Sequence, residues 1–349
     1  MVRVTILASG SKGNCTVVAT SKTRIMLDAG LSCREIVKRM RFAKEDPEKL
    51  DAILITHEHQ DHIQGLSVMA RRWKVPVFAT EATHAAWRRW MSPRRTMSFA
   101  AWLESRRQQK LSGFSEAAHE PEQAPSPSAD SQALPDLTEA SVELASVAAE
   151  CDAEAGRASV AVVTEAAPAE TDLCAPQDDH PAYLPAVEYF QAGIPFEVGD
   201  IRVTPFTVPH DAVDPVGFVL EAEGMRIAVA TDLGYIPPNV RMRLLGADLL
   251  VIESNHDLEM LRDGPYPWAV KQRVLSRVGH LSNDAVSEYL ANGYDGGARF
   301  VVLAHISESN NLPELARLAA ERALGDKMGL LANKVLLASQ SVPLESIYL

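Results

Sequence analysis

Three histidines and one aspartate stand within six residues in the sequence HEHQDH, which begins at residue 57. The segment follows 51–56, a short apolar run typical of a buried strand. His57 and His59 alternate, so their side chains are predicted to point the same way. Asp61 and His62, at the start of the next helix, are predicted to face a second point. Imidazole and carboxylate groups bind zinc, manganese or iron. The spacing therefore favours two half-built metal sites over a solvated polar loop.

Three further polar residues follow apolar runs elsewhere in the chain. They are His210 after 196–205, Asp232 after 226–231 and His305 after 300–304. Side chains at strand ends converge on one edge of a sheet, where ligands distant in sequence can meet. A lone histidine after a strand is more often a hydrogen-bonded structural group than a ligand. In combination with the histidine cluster, we predict that these residues complete the two metal sites.

The elements that must position these residues are strands and helices in two similar groups. Strands followed by helices, twice over, predict two sheet-and-helix layers packed face to face, which is an α/β fold with a four-layer αββα sandwich. Strands are predicted at 2–8, 16–19, 24–28, 51–56, 75–79, 196–205, 216–221, 226–231, 249–253, 300–304 and 334–337, and helices at 33–41, 63–73, 82–90, 267–277, 283–292 and 312–324.

The two groups are separated by residues 108–181, which are rich in Ala, Glu, Pro and Ser and poor in aromatic residues. Such a segment cannot offset its ordering entropy by burial, so we predict a disordered insertion. Residues 104–181 contain 16 acidic and 4 basic residues, a difference equal to the net charge of -12 of the whole chain. The flanking parts, 1–107 and 182–349, are predicted to form the two halves of one domain. Because these two parts are nearly neutral, their charge does not exclude a substrate that carries phosphate.

The amino terminus runs directly into a strand pattern, without the basic region, apolar run or cleavage site of an export signal. The four cysteines form no CxxC pair, so neither a thiolate zinc site nor a disulfide framework is indicated. We therefore expect a cytoplasmic protein without a membrane partner. The sequence leaves a homo-oligomer open.

The HEHQDH segment matches the HxHxDH motif of the metallo-β-lactamase fold superfamily, which the chain resembles. Within that superfamily it is similar to the YycJ or WalJ type of bacterial hydrolases. The matching motifs lie on both sides of the insertion, so the resemblance covers most of the remaining chain. These motifs are SGSKGN at 9–14, PHDA at 209–212, DPVG at 214–217, ESNHD at 253–257, GHLSN at 279–283, and AHIS at 304–307 with Asn310 and Asn311.

The resemblance implies two divalent metal ions, zinc or manganese with iron also suitable, and it gives each candidate ligand a place. Asp28, which ends a predicted strand, corresponds to a buried aspartate that braces the histidine loop. The implied ligands are His57, His59 and His210 for one ion and Asp61, His62 and His305 for the other, with Asp232 bridging both.

Two neighbouring cations lower the pKa of a shared water and neutralise charge on the oxygens of a displacement. Phosphodiester hydrolysis through such a metal-bridging hydroxide would use Asp61 and His280 as catalytic residues. The GHLS segment resembles an element that nucleic-acid-processing relatives place beside the scissile phosphate. His280 could donate a proton or hydrogen bond there, and Ser282 could bind phosphate at a helix start or simply cap that helix. His256 is predicted either to support a metal ligand or to be structural.

Basic and aromatic residues interleave between positions 87 and 110, a pattern that suits a nucleic-acid strand. An amphipathic helix with tryptophans on the core gives the same pattern, and we prefer that interpretation. DNA is nevertheless the favoured partner, and an exonuclease-like phosphodiesterase the favoured function. Two alternatives stay open: an acyl-bond hydrolase acting on a lactone or thioester, and a metal-stabilised regulatory protein without turnover. The interleaved residues are Trp87, Arg88, Arg89, Trp90, Arg94, Arg95, Trp102, Arg106, Arg107 and Lys110.

Overall fold

The computed structural model describes residues 1–92, 100, 103–104, 181–325, 327 and 334–349. The predicted disordered insertion therefore lies outside the described residues, apart from its last residue. The division into 1–107, 108–181 and 182–349 stays a prediction. None of the described helices is long and apolar enough to cross a membrane.

Two seven-stranded sheets form the centre of the fold, and each is antiparallel in one half and parallel in the other. The first sheet has the spatial order β14-β1-β2-β3-β4-β5-β6, and the second has the order β13-β12-β11-β10-β9-β8-β7. The strands of the first sheet are β1 (Arg3–Ala8), β2 (Cys15–Ala19), β3 (Arg24–Leu27), β4 (Ala52–Leu54), β5 (Val77–Ala79), β6 (Val187–Tyr189) and β14 (Ile347–Tyr348). The strands of the second are β7 (Phe196–Val198), β8 (Ile201–Thr207), β9 (Val216–Ala222), β10 (Met225–Ala230), β11 (Leu249–Glu253), β12 (Phe300–Ala304) and β13 (Lys334–Leu337).

The helices cover the outer faces of the sheets. Their apolar residues, such as Ile36 and Met69 on the first sheet and Tyr289 on the second, are buried in two outer clusters. A third cluster fills the space between the sheets and contains Leu54 and Phe218. The helices are α1 (Cys33–Phe42), α2 (Gln60–Ile63), α3 (Leu66–Trp73), α4 (Glu81–Met91), α5 (Pro238–Leu244), α6 (Leu258–Asp263), α7 (Trp268–Val274), α8 (Asn283–Asn292) and α9 (Pro313–Leu324), with a short 3-10 helix at Pro47–Lys49. The predicted αββα sandwich is confirmed.

Two predicted elements were wrong in detail. The single strand predicted at 196–205 is two strands, β7 and β8, joined by a turn. The single helix predicted at 63–73 is divided into α2 and α3 at Gly65. A Cβ at Gly65 would lie 2.3 Å from the carbonyl oxygen of Leu31, so this glycine allows a close approach of two backbone segments. That approach ties the end of the histidine segment to the loop after β3.

Candidate metal centre

Most of the predicted site residues lie beyond the carboxyl ends of parallel strands, whereas His210 follows the antiparallel strand β8. Asp28 directly follows β3, and His57 lies three residues after the parallel neighbour β4. In the second sheet, Asp232 follows β10 and His305 directly follows β12, on either side of β11. Each strand is apolar because it is buried, and its first polar residues come where it leaves the core.

Asp28, Asp232 and His305 all have positive φ angles, of 57°, 59° and 52°. Residues other than glycine seldom adopt this left-handed conformation, although aspartate and histidine tolerate it better than most. Such a residue costs about 1–3 kcal/mol and persists only where the surroundings enforce it, often at a functional site. In all three residues, the left-handed backbone conformation occurs at the point where the chain leaves its strand.

The first group of ligands contains His57, His59 and His210, whose candidate nitrogens lie within 4.8 Å of one another. His59 Nδ1 and His210 Nε2 are 3.2 Å apart. Burial, with the neighbouring His62, lowers the pKa of His57 well below its ordinary value. Burial also lowers the pKa of His210. Both shifts favour the neutral imidazole, the form that binds a metal ion.

The second group contains Asp61, His62, Asp232 and His305, again within 4.8 Å. His62 Nε2 lies 3.4 Å from an Asp61 oxygen and 3.5 Å from Asp232 Oδ2. His305 Nε2 lies 3.4 Å from Asp232 Oδ1 and 3.6 Å from the same Asp61 oxygen. Burial alone would raise the pKa of Asp61, but the rings of His62 and His305 outweigh it and lower that pKa. The structure thus brings all seven predicted ligands into two adjoining groups.

The chemistry of these donors fits divalent metal ions. Among the described residues, the Nε2 atoms of His57 and His305 and Oδ2 of Asp232 are buried without a hydrogen-bond partner. A buried polar atom left unpaired costs about 1–3 kcal/mol, so such atoms in a functional cluster indicate a missing partner. Nitrogen and carboxylate donors without thiolate suit zinc, manganese or iron.

Asp28 lies behind the ligands, at the place that the resemblance gives it. His62 Nδ1–H donates to Asp28 Oδ2 at 2.8 Å, which leaves Nε2 of His62 for a metal ion. The Thr56 hydroxyl and backbone N–H both bond to the Asp28 carboxylate. The same hydroxyl lies 3.0 Å from His57 Nδ1. Asp28 and Thr56 thereby fix the orientation of two ligands, one from each group.

Glu253 is the main site residue that our sequence reasoning missed. Its Oε1 accepts from the Nδ1 atoms of His280 (2.7 Å) and His305 (3.1 Å). Its Oε2 accepts from the backbone N–H groups of Leu233 (2.9 Å) and Leu281 (3.3 Å). Burial would raise the pKa of Glu253, but His280 and His305 lower it to about 2. The available signal was an acidic residue at the end of the otherwise apolar strand β11, beside the strands that carry Asp232 and His305.

Distances alone would also group Glu253 and His280 with Asp232 and His305 as metal ligands. We instead assign Glu253 as a hydrogen-bond acceptor, because both of its oxygens are occupied by N–H donors. The predicted ligands, in contrast, include buried atoms without a hydrogen-bond partner. A metal ion could bind these atoms without breaking an existing hydrogen bond.

The His280 ring stands at the mouth of the site with 19% of its side chain exposed. Its ring stacks on that of His305 at 5.2 Å and lies equally far from that of His210, which belongs to the other ligand group. Burial would lower the pKa of His280, but Glu253 raises it. His280 is therefore held between the two groups by a carboxylate on its inner side.

Ser282 and His256 lie on the same side of the site. Ser282 caps α8, since its hydroxyl accepts from the Ala285 N–H at 3.1 Å. His256 is buried, and neither of its ring nitrogens has a hydrogen-bond partner among the described residues. Burial lowers the pKa of His256 to about 4, so its ring is neutral. The structure does not bring His256 into either ligand group, and its role and the phosphate-binding role of Ser282 stay predictions.

The basic and aromatic series is only partly described. Trp87 on α4 is buried in the outer cluster of the first sheet, as the amphipathic interpretation predicts, whereas Trp90 is half exposed. Its later members, at positions 94, 95, 102, 106, 107 and 110, lie outside the described residues.

Two family models match the sequence. The model of the metallo-beta-lactamase superfamily matches residues 8–133, and that of a beta-lactamase superfamily domain matches residues 155–306. Together they include strands of both sheets and all seven predicted ligands.

Curated relatives are similar over nearly the whole chain. The exodeoxyribonuclease YycJ of Bacillus anthracis is 29% identical over 322 residues, which are 92% of this chain and 89% of that protein. The exodeoxyribonuclease WalJ of Streptococcus pneumoniae serotype 2 (strain D39) is 29% identical over 90% of this chain and 86% of its own. Among solved structures, the metallo-beta-lactamase fold protein YhfI from Bacillus subtilis superposes with a TM-score of 0.55. That likeness, at 13% identity, covers 99% of this chain and 100% of the other and concerns the fold.

Proposed function

The chain belongs to the metallo-β-lactamase superfamily, and we propose that it is a metal-dependent phosphodiesterase with exonuclease-like action on DNA. The observation that carries this proposal is the placement of His280. Its partly exposed ring is held by Glu253 between two groups of candidate metal ligands. The names of the curated relatives support DNA as the substrate.

His57, His59 and His210 would hold one ion, and Asp61, His62, Asp232 and His305 would hold a second. When bound, two divalent ions would make a water nucleophilic near neutral pH and neutralise charge on the phosphate oxygens. Zinc and manganese both suit this donor set. Because each ligand group combines residues from both sheets, the site requires both halves of the fold.

His280 would act on the leaving or non-bridging oxygen of the phosphodiester. Since its Nδ1–H donates to Glu253, Nε2 is the nitrogen left to face a substrate. A proton or hydrogen bond from Nε2 would stabilise the charge that develops as the ester bond breaks. Ser282 lies two residues away, where its hydroxyl hydrogen could donate to another phosphate oxygen while its oxygen caps α8. We expect this activity in the cytoplasm.

Metal-dependent cleavage of end-labelled single- and double-stranded DNA by the purified protein tests this function. His280→Ala should lower kcat by about 10²- to 10⁴-fold, the usual contribution of a general acid, with the bound metal content unchanged. Bis-p-nitrophenyl phosphate and a thioester substrate should be assayed in parallel. Turnover of the thioester without cleavage of either phosphodiester would contradict the proposal.

A further inference from the structure

The segment 264–280 leads directly into His280 and differs in charge from the rest of the chain. It contains Lys271, Arg273 and Arg277 and no acidic residue, whereas residues 1–103 and 182–349 together have a net charge of zero. It includes the short helix α7 and the loop that follows. A local excess of positive charge is a feature that an anionic ligand would recognise.

This segment is fixed against the metal centre. The backbone N–H of Asp211, next to the ligand His210, donates to the carbonyl oxygen of Val278 at 3.0 Å. The Nδ1 atom of His210 itself lies 3.2 Å from the same oxygen. A Cβ at Gly279 would lie 2.2 Å from the carbonyl oxygen of Val274, so α7 and the following loop are closely packed. The segment is therefore a wall of the site.

Helix α7 has no buried side chain, although it begins with a tryptophan. Trp268 is 65% exposed and Leu275 is 50% exposed. Trp268, Lys271 and Leu275 are three and four residues apart, so they share one face of the helix. Seven residues are too few for a helix that is stable by itself. An exposed aromatic residue beside a basic one on a fixed short helix is suited to stacking on a base.

The positive charges of the segment are only partly neutralised. Arg273 pairs with Asp211. Among the described residues, neither Lys271 nor Arg277 has a carboxylate within ion-pair distance, although Lys271, after Arg262, lowers the pKa of the nearby Asp263. Lys271 Nζ donates to the carbonyl oxygen of Arg262 at 2.7 Å, and the Arg277 guanidinium lies 4.4 Å from the ring centre of Tyr235.

A cavity elsewhere on the first sheet does not have this charge. It has a volume of about 490 Å³, and its lining includes Glu81, Tyr189 and Asp214. Its two carboxylates would repel a phosphate backbone. The charge pattern therefore favours the α7 side of the metal centre for a nucleic-acid strand.

We propose that residues 264–280 form the surface that binds the DNA strand beside the scissile bond, with Lys271 and Arg277 on phosphates and Trp268 stacked on a base. The inference rests on the proposed function, because it takes DNA as the substrate. It adds a strand-binding surface that lies outside the ligand groups.

The test uses the metal-loaded protein and a fluorescein-labelled single-stranded oligonucleotide with cleavage-resistant phosphorothioate linkages. Fluorescence anisotropy at several NaCl concentrations gives Kd and its salt dependence. Trp268→Ala should raise Kd about tenfold, because it removes one stacked base. Arg277→Ala should raise Kd and reduce the slope of log Kd against log[salt] by about 0.7, the loss of one phosphate contact on a single strand.

Two matched controls lie away from the site. Phe42→Ala removes an exposed aromatic residue at the end of α1, and Arg322→Ala removes an exposed arginine near the end of α9. Both should leave Kd and the salt slope unchanged. Both control variants should also hydrolyse bis-p-nitrophenyl phosphate at the wild-type rate, because neither side chain belongs to the metal centre or to the proposed surface.

Equal Kd values for the site variants and the controls would overturn the proposal, as would failure of the wild-type protein to bind the oligonucleotide. Hydrolysis of bis-p-nitrophenyl phosphate by the wild-type protein distinguishes failure of the proposed surface from failure of the proposed function. Diester hydrolysis without oligonucleotide binding would refute only the surface. Binding that depends on Trp268 and Arg277 without hydrolysis of any phosphodiester would support the surface and refute the phosphodiesterase.

Discussion

Replacement of Glu253 by glutamine would remove one negative charge from the centre of the site with little change in shape. In the wild-type protein each carboxylate oxygen accepts two hydrogen bonds. The donors to Oε1 are two imidazoles, and the donors to Oε2 are two backbone N–H groups. A glutamine amide has only one acceptor oxygen. Whichever way the amide is oriented, its NH2 group would therefore face two donors.

The magnitude follows from these contacts. A buried donor that loses its acceptor costs about 1–3 kcal/mol, so Glu253→Gln should lower the free energy of unfolding by about 3 kcal/mol. The backbone N–H groups of Leu233 and Leu281 cannot turn away, so we expect the amide oxygen to face them and the NH2 group to face the imidazoles. The His305 ring would then lose the hydrogen bond that directs its Nε2 toward the ligand group. Loss of such a partner behind a metal ligand typically weakens metal binding about 10- to 100-fold. His280 would lose its anchor at the same time, so kcat should fall even at saturating metal.

Chelator competition gives the metal affinity, and DNA cleavage at saturating metal gives kcat, both below the melting temperature of the variant. Glu259→Gln is the matched control, because this glutamate is exposed on α6. It should leave both quantities unchanged. If Glu253→Gln matched this control in metal affinity and kcat, the assignment of Glu253 as the residue that orients His280 and His305 would be wrong.

Three other predictions concern the metal centre and the first sheet. Asp28→Asn should weaken metal binding about 10- to 100-fold by disturbing His62, and unchanged chelator competition would contradict this. Burial opposes protonation of His62 and His305, but nearby carboxylates outweigh it and hold their pKa values well above the ordinary value in the metal-free protein. Metal must displace these protons, so its apparent affinity should decrease as the pH falls below those pKa values; a titration showing the same affinity at every pH would refute this. Glu45→Ala should lower the free energy of unfolding, measured by chemical denaturation, by about 3 kcal/mol, because Glu45 is buried and Arg24 would keep an unpaired charge. A decrease of less than about 1 kcal/mol would show that this ion pair contributes no more than an ion pair on the surface.

The sequence predicted the elements whose signals are local. β11, β12 and β13 have the predicted bounds, because each is an apolar run with at most one charged residue, at one end, in a parallel region of the sheet. α8 also has the predicted bounds, because Ser282 marks its first turn. The strands β6 and β14 were not predicted, since they are two or three residues long and partly exposed. They are strands only because β5 and β1 offer backbone partners.

The same distinction applies to the site. The histidine segment and the polar residues at strand ends predicted a set of ligands that the structure brings together. The roles of Thr56 and of Glu253, which stood only within the ESNHD motif, were missed, because a hydrogen-bond partner behind a ligand has no characteristic spacing in the sequence. Asn14, which donates to Asp61 at 3.2 Å, was noticed only as part of a motif. The positive φ angles of Asp232 and His305 likewise depend on the packed sheet around them.

The most direct measurement is the metal content of the folded protein, determined by elemental analysis after removal of loosely bound ions. We expect two equivalents of zinc or manganese per chain, and a reduced content in His210→Ala, which lacks one ligand of the first group. A folded wild-type protein that retains no transition metal would contradict the assignment of the two ligand groups.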